Sequence, residues 1–588
     1  MNQTAEKILR TTWTEPRHFF FWMALLSLAG FAGIVAGTGL TGANSLLALL
    51  AVCCGLCFVP SVILYVLAWI PPLRRLLGRL LTHRFLAVGC LVTLVALFYA
   101  VENWRGRSAW QSFKRQREAQ GAQLTLANLI PPPVSEEQNF FNTPLWNDLH
   151  YVRANDRVIW SDTNWGNHVM FAAFGPGNGN APSTGNWAKF QRVDLGAWQV
   201  FYRGTNNLFA SPGGAPTTYF PVAKEPQTPA ADVLLALSKF SENRQILTAA
   251  ADRPQARFWI DYDAGEAMLL PHLSRIKAAI QYLSLHANAA LKAGETQTAL
   301  QDLRLQFRLL ESVRTEPILI SHLVRIAGLQ IALQSVWEGL ADQQWSEKDL
   351  RFLQSQLDGM DFLADYRAAM RGELACQLWA VDYVHKEGLG AWEQLAGSDR
   401  EGSASDELMR FLGKGVFQLI PSGWFDQSKL SVCRIHDEFV LSAVDQKGGV
   451  VSPSRVKQCE FAFGERHWGL YDTFAKTLLP AYGRAIERFA RAQASLELAR
   501  LGCALERYRL ANGRFPETLE ALAPRFIEKV PTDVINGGSL KYQRGGDDQF
   551  TLYSVGWNER DDGGQIALTR GGSQDPNQGD WVWRYSAG

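Results

Sequence analysis

Between Arg17 and Arg74 the chain has no aspartate, glutamate, lysine or arginine. A helix that faces water on any side needs charge over such a length, and a helix buried in a soluble protein seldom runs so long without it. An ordinary globular N-terminal region is therefore excluded. Net charge is lacking too, since 58 Lys+Arg against 57 Asp+Glu leave +1. No basic field draws the chain to nucleic acid, and there is no acidic tail. Eight cysteines in 588 residues are no disulfide framework. The segment GPGNGN at 175–180 lacks the lysine and the following helix of a phosphate loop. With 47 % hydrophobic and 20 % charged residues, wholly disordered, collagen-like and coiled-coil chains are also ruled out.

What the first hundred residues do hold is hydrocarbon. Residues 19–40 and 46–70 are each long enough to cross an apolar core of about 30 Å, which takes roughly 20 helical residues. Residues 85–101 form a third, shorter span flanked by Arg84 and Glu102. Gly42 and Asn44 suit a tight turn between the first two. Lys7, Arg10 and Arg17 precede the first span, Arg74, Arg75, Arg79 and Arg84 lie between the second and third, and the first turn carries no basic residue. The positive-inside rule then places the N-terminus in the cytoplasm and everything after the third crossing outside. Arg105, Arg107, Lys114, Arg115 and Arg117 pull the other way, but long downstream domains translocate largely regardless of charge. Cys53, Cys54, Cys57 and Cys90 fall in these spans as small apolar residues.

Beyond the membrane region 1–103, residues 104–139 continue the third helix and then meet Pro131, Pro132 and Pro133, an extended spacer. Residues 140–227 are rich in Trp, Asn, Gly and Pro and read as loops and short strands, with one helix over 194–202. A helical domain occupies 228–490. It opens at Thr228 and Pro229, with Asp232 placed as in a capping box. Leu273, Ile276, Ile280, Leu283 and Ala287 recur at helical spacing, as do Leu303, Phe307, Leu310 and Val313, with Gly294 at the turn between them. This hairpin looks like one tetratricopeptide unit, but no second copy follows at a 34-residue period. Further helices are expected over 319–340, 347–360 and 362–383, a polar break over 397–405, and one long amphipathic helix over 470–510, bent at Pro480.

The last region, 491–588, is read from ALERYRLANGRFPETLEAL (504–522), VPTDVINGGSLKY (530–542) and FTLYSVGWNERDDGG (550–564). Asn512 and Gly513 end a helix, Pro516 prevents its resumption, a short helix begins at Leu519, and two alternating segments, 539–543 and 549–555, form a hairpin. The helix exit Tyr508-x-x-x-Asn512-Gly513-x-x-Pro516, the Pro531-x-Asp533 motif and the strand end Tyr553-Ser554-x-Gly556 resemble the globular end of type II secretion major pseudopilins. That resemblance covers about a sixth of the chain, residues 491–583. It implies a long helix on a small antiparallel sheet, and calcium bound by the acidic loop after the strand, here by Asn558, Asp561, Asp562 and Asp580. Asn558 stands where the family has an aspartate, and the other acids are shifted by one or two places. A solvated acidic turn is the competing reading. The multi-spanning start also departs from the family, whose members begin with a cleaved leader and a single apolar helix.

Other residues invite chemistry. Cys433, His436, Cys459 and His467 run as C-x-x-H…C…H, but the second pair is too widely spaced for structural zinc, which leaves a Cys433–Cys459 disulfide or separate core positions. Ser454 and Lys457 form a Ser-x-x-Lys pair without the motifs that accompany it in enzymes. His272, His286 and His322 read as packed helix residues. Trp160, Trp165, Trp187 and Trp198 suit either the core of an irregular domain or a surface that stacks on sugars. The fold class that emerges is a membrane-anchored, mainly α-helical extracytoplasmic protein with a small C-terminal α+β module. It points to a non-enzymatic scaffold or interaction protein of the bacterial inner membrane, with the membrane and envelope proteins as partners, associated with secretion or pilus-like machinery. An extracytoplasmic enzyme or glycan-binding protein using residues 151–226 is the alternative.

Overall fold

The structure is a computed structural model that describes residues 17–25, 27–28, 61–73, 75, 77, 84–154, 157–160, 171, 181–209, 217–388, 391, 419–441, 444–445, 449–466, 469–478, 482–545 and 549–585. The protein is mainly helical with a small amount of sheet. Its principal helices are α1 (Arg84–Ala119), α2 (Leu195–Arg203), α3 (Pro229–Leu237), α4 (Ser241–Ala250), α5 (Pro271–Lys292), α6 (Thr296–Ser312), α7 (Leu319–Ala341), α8 (Glu347–Asp358), α9 (Phe362–Glu387), α10 (Ser422–Ile435), α11 (Pro453–Glu465), α12 (Thr473–Leu478) and α13 (Tyr482–Asn512). The strands are β1 (Tyr151–Ala154), β2 (Arg157–Trp160), β3 (Leu208–Phe209), β4 (Thr217–Thr218), β5 (Lys541–Arg544), β6 (Phe550–Ser554), β7 (Ile566–Leu568), β8 (Gln574–Gly579) and β9 (Trp581–Arg584). Two compact units result. One comprises Met1–Ala122, Gln377–Cys433 and Trp468–Leu478; the other comprises Gln123–Cys376, Arg434–His467 and Leu479–Gly588. The expected regions 140–227 and 491–588 thus fall in one unit.

In the first unit, residues 17–25, 27–28 and 61–67 are helical, residues 68–70 form a turn where the second span was expected to continue, and the rest of the first two expected spans lies outside the described residues. Phe20 and Ala68 pack with Leu77 in one apolar cluster, and the Arg17 guanidinium sits 4.6 Å over the Trp69 ring. The third expected span is the start of α1. The helix continues past it, as the sequence indicates, and ends at Gly121 (φ 83°), where the Ala122 N–H bonds the Arg117 carbonyl at 3.0 Å. Val88, Leu91, Val92, Leu94, Val95, Leu97, Phe98 and Val101 are 48–64 % exposed, and the remaining face, formed by Gly89, Thr93, Ala96 and Ala100, is exposed as well. Its two hydroxyls over this stretch are satisfied: Thr93 donates to the Gly89 carbonyl at 2.8 Å, and Tyr99 donates to the Leu419 carbonyl. Below the apolar stretch, Glu102 gathers α10 and the α12 entry. It accepts from Trp424 Nε1 and Arg105 Nη2, each at 2.9 Å, and from the Tyr471 hydroxyl at 3.3 Å. Helices α1 and α10 meet through two glycines. A Cβ at Gly106 would stand 2.0 Å from the Gly423 carbonyl oxygen, and one at Gly423 would stand 2.1 Å from that of Glu102.

In the second unit α5 and α6 form the expected hairpin. Gly294 adopts φ 80° at its turn, and the Glu295 N–H bonds the Ala290 carbonyl at 2.8 Å. All nine apolar residues named above for this hairpin are buried. Helix α7 packs on both, so closely that a Cβ at Gly328 would lie 2.5 Å from Leu310 and 2.8 Å from Ile280. It is apolar and long enough to cross a membrane, yet it is a core helix, with most of its apolar window buried. Helix α8 begins at a capping box made by Ser346 and Asp349. Helix α2 starts after Asp194, which accepts from the Ala197 N–H. At α3 the expectation holds in part. Thr228 caps the helix, but Asp232 turns to Gln199, Arg203 and the Gln227 N–H instead of completing a box.

The amphipathic helix expected over 470–510 is two helices, α12 and α13, with residues 479–481 outside the described part. Helix α13 packs on α7 and α8 and carries the sheet β5–β6–β9, antiparallel throughout, with Tyr542 opposite Leu552 and Leu552 opposite Trp583. Strands β7 and β8 form a second antiparallel pair, which the sequence reading did not anticipate.

The glycine crossing gives a direct test. Gly106→Val forces a side chain into backbone and should destabilise the detergent-solubilised protein by about 3 kcal/mol in chemical unfolding. Gly89→Ala, where a Cβ meets nothing within 4 Å, should leave stability unchanged or raise it.

Candidate functional site

The acidic loop after β6 is organised by its own backbone. Asp580 is fully buried, and its carboxylate accepts from the Asp562 N–H at 3.2 Å and the Gly564 N–H at 2.7 Å. Burial pushes its carboxyl up from the ordinary value, against those two hydrogen bonds. Asp561 accepts from the Tyr553 hydroxyl and the Gly563 N–H, at 3.0 and 3.1 Å, and lies 3.6 Å from the Lys541 ammonium. The Gly563 hydrogen bond is the main cause of its lowered pKa. Asn558 Nδ2 donates to Asp562 at 2.7 Å, so this side chain offers its amide hydrogen there, not an oxygen. Three of the four expected calcium ligands, Asn558, Asp562 and Asp580, are therefore joined by hydrogen bonds, while Asp561 turns to Tyr553, Gly563 and Lys541. Among the described residues no group of three or more carboxylate, imidazole or thiol side chains is placed to hold a metal ion.

The Pro-x-Asp and Tyr-Ser-x-Gly motifs meet through one side chain. Asp533 is buried and accepts from the Ser554 hydroxyl at 2.8 Å, the Val555 N–H at 3.1 Å and the Ile535 N–H at 3.0 Å. The next glycine, Gly556, has φ 68°, and a Cβ there would stand 2.3 Å from the Gly579 carbonyl oxygen. These motifs therefore do structural work, tying β6 to the segment that precedes β5.

The remaining candidates separate. Ser454 does not reach Lys457. Its hydroxyl and its N–H both donate to Glu559, at 3.1 Å each, which docks the N-terminus of α11 on the acidic loop. Cys433 and His436 are buried, Cys459 is half-buried, and His467 lies outside the described residues; no disulfide joins Cys433 to Cys459. Trp187 and Trp198 are buried, with Trp187 5.0 Å from Trp583 and Trp198 5.4 Å from Phe201, so neither is a platform for sugars. Trp160 packs against Tyr151; Trp165 and residues 175–180 lie outside the described part.

The three histidines sit in buried polar networks. His272 stacks on Phe258 and bonds Glu316 at 2.8 Å, and Glu316 also accepts from Ser321. His286 bonds Asp302 at 2.6 Å, beside Arg244. His322 donates through Nε2 to the Glu316 carbonyl at 3.0 Å. Burial, with the Arg325 charge second, lowers its pKa to about 4. Arg325, itself fully buried, pairs with Glu311 and Asp365, and burial raises Asp365 to about 6 against the pull of that arginine.

Among the described residues, two cavities of the second unit are large enough for a small molecule. One, of about 500 Å³, is lined by acids and bases in alternation, Asp358, Asp361, Glu497, Arg367, Arg500 and Lys529 among them. Its charges are partly spent, because Arg500 pairs with both Asp358 and Glu497. The other, of about 400 Å³, lies between the Trp187 turn, α7 and the start of α13, with Ile326, Gln330, Ile331, Arg488 and Arg491 in its wall. Nothing in the sequence pattern announces it, since Trp187 sits in an irregular segment and the arginines belong to an amphipathic helix. Comparison with family models, with curated proteins and with solved structures finds no match to this chain.

Two measurements follow. Asp533→Asn puts an N–H donor against that of Val555 or loses the serine, and should cost about 2–3 kcal/mol of unfolding free energy. His322 has a folded pKa below its unfolded value, so its contribution is present above about 6.5 and is lost as pH falls towards about 4. His322→Asn keeps a donor for Glu316 but does not titrate. Its stability relative to the parent should improve by about 3 kcal/mol between pH 6.5 and 4. The opposite dependence of Asp365 is present in both proteins and cancels in the comparison.

Proposed function

We propose that this protein is a non-enzymatic scaffold of the bacterial envelope, held in the inner membrane by its N-terminal helices, with its second unit outside the cytoplasm. The observation that carries this reading is the α1 surface. Eight large apolar side chains between Val88 and Val101 are exposed, the face between them carries only the exposed Gly89, Thr93, Ala96 and Ala100, and the hydroxyls are satisfied internally. Exposed to water, such a surface costs about 25 cal/mol per Å², whereas hydrocarbon accepts it. Trp104 at 71 % exposure and the basic residues that follow suit the interfacial layer next to it.

Association with secretion or pilus-like machinery is supported by the pseudopilin-like motifs, on a helix that carries a three-stranded antiparallel sheet. The helical hairpin of α5 and α6 offers the broad surfaces on which such assemblies are commonly built.

Protease added outside spheroplasts should digest the second unit while sparing the spans; an intact C-terminal half in sealed spheroplasts would falsify the topology. Crosslinking in intact cells followed by capture of the full chain should recover subunits of a secretion or pilus-type assembly. If nothing exceeds the untagged control, the scaffold reading is lost.

A further inference from the structure

The 400 Å³ cavity lies within the size range of small-molecule sites, about 300–1,000 Å³. Its wall is divided by chemistry. On one side are Ile326, Ile331 and Trp187; the Trp187 indole N–H is already committed to the Gln330 carbonyl at 3.1 Å. On the other are two guanidinium groups one turn apart on α13. Arg491 donates to Gln574 and is therefore held in place. Arg488 is exposed at the rim and makes no hydrogen bond or ion pair among the described residues; the side-chain amides of the half-buried Gln330 and Asn186 make none either. Glu487, on the same turn as these arginines, does not line the cavity. An uncommitted guanidinium, uncommitted amides and an aliphatic wall thus face one half-enclosed space. A bare inorganic anion would leave the aliphatic side unfilled, and a neutral hydrocarbon would make no use of the guanidinium at the rim.

We infer that this cavity binds a small carboxylate with an aliphatic body and an adjacent amide N–H, the chemistry of an N-acylated apolar amino acid or of a peptide's free C-terminal residue. The carboxylate accepts from Arg488, the aliphatic group fills the space against Ile326, Ile331 and Trp187, and the amide N–H donates to the Gln330 side-chain oxygen. The site is independent of the scaffold reading and of the membrane topology.

Titration calorimetry on the detergent-solubilised full chain tests it with four probes: N-acetyl-leucine, acetyl-Ala-Ala-Leu with a free carboxylate, the same peptide amidated, and inorganic phosphate. The free acids should bind with Kd of about 1 mM or tighter, and amidation should weaken the peptide roughly tenfold or more. Tighter binding of the peptide than of N-acetyl-leucine identifies a chain terminus as the ligand; equal affinity identifies the single residue. Arg488→Gln and Gln330→Glu should each weaken the free acids roughly tenfold at an unchanged melting temperature. If Arg488→Gln lowers the melting temperature, Gln330→Glu carries the test, because it changes charge at constant shape. The proposal is overturned if neither free acid binds at millimolar concentration, if the amide binds as well as the acid, or if phosphate displaces the acid at equal concentration.

Discussion

On the proposal above, hydrocarbon and not water surrounds the upper half of α1. A soluble helix arranges its apolar side chains in one stripe and buries that stripe, as α5, α6 and α7 do with Ile280, Leu310 and Leu329. Helix α1 has no stripe. Leu91, Leu94 and Leu97 point in different directions and all remain outside the protein. The same helix then changes character within one turn, at Glu102, where polar side chains from α10 and the α12 entry converge. The position of that change fixes where the first unit can assemble. Packing against α10 begins in the last turn of the apolar surface, where Phe98 meets Trp424 edge to face at 6.4 Å, and is completed at Glu102.

The second unit rests on a different balance. Its buried arginines are each answered by more than one acceptor: Arg325 by Glu311, Asp365 and the Leu310 carbonyl, Arg275 by both oxygens of Asp148 and the Leu145 carbonyl, Arg507 by Glu347, Gln354 and the Phe526 carbonyl. Burying charge is costly unless its hydrogen-bonding capacity is met, and a multiply answered guanidinium meets it with geometry that few alternative packings can reproduce. These arginines join segments far apart in sequence, so they select among helix arrangements that hydrophobic burial alone would rank about equally.

How much of this could be read beforehand depended on range. The helical hairpin was legible because its signals are local: apolar residues three and four apart, and Gly294 at the one place that needs a left-handed backbone. The exit of α13 was legible for the same reason, with Gly513 at φ 76° bonding back to Arg509. Expectations failed where a side chain chose a distant partner over a near one. Asp232 prefers Gln199 and Arg203 to its own helix start, and Ser454 prefers Glu559, 105 positions away, to the lysine one turn on. Of the acidic loop, proximity was legible and purpose was not. Asp580 reaches its backbone partners only once β8 and β9 bring it back to the loop, a pairing with no short-range signature. The cavity was invisible for that reason as well, since its wall comes from four segments between positions 184 and 491.

The unbroken length of α1 has a mechanical consequence. At 1.5 Å per residue its 36 residues span about 54 Å, and only the apolar half of that is needed to cross hydrocarbon. If α1 spans the membrane as proposed, the other half extends beyond the lipid without a proline, held to α10 near its base by the Gly106–Gly423 crossing. If the embedded portion leans by about 20°, an ordinary value for spanning helices, the far end swings sideways by roughly 9 Å. A change in bilayer thickness would thus be converted into lateral displacement at Ala119, giving the anchor the geometry of a lever as well as that of a tether.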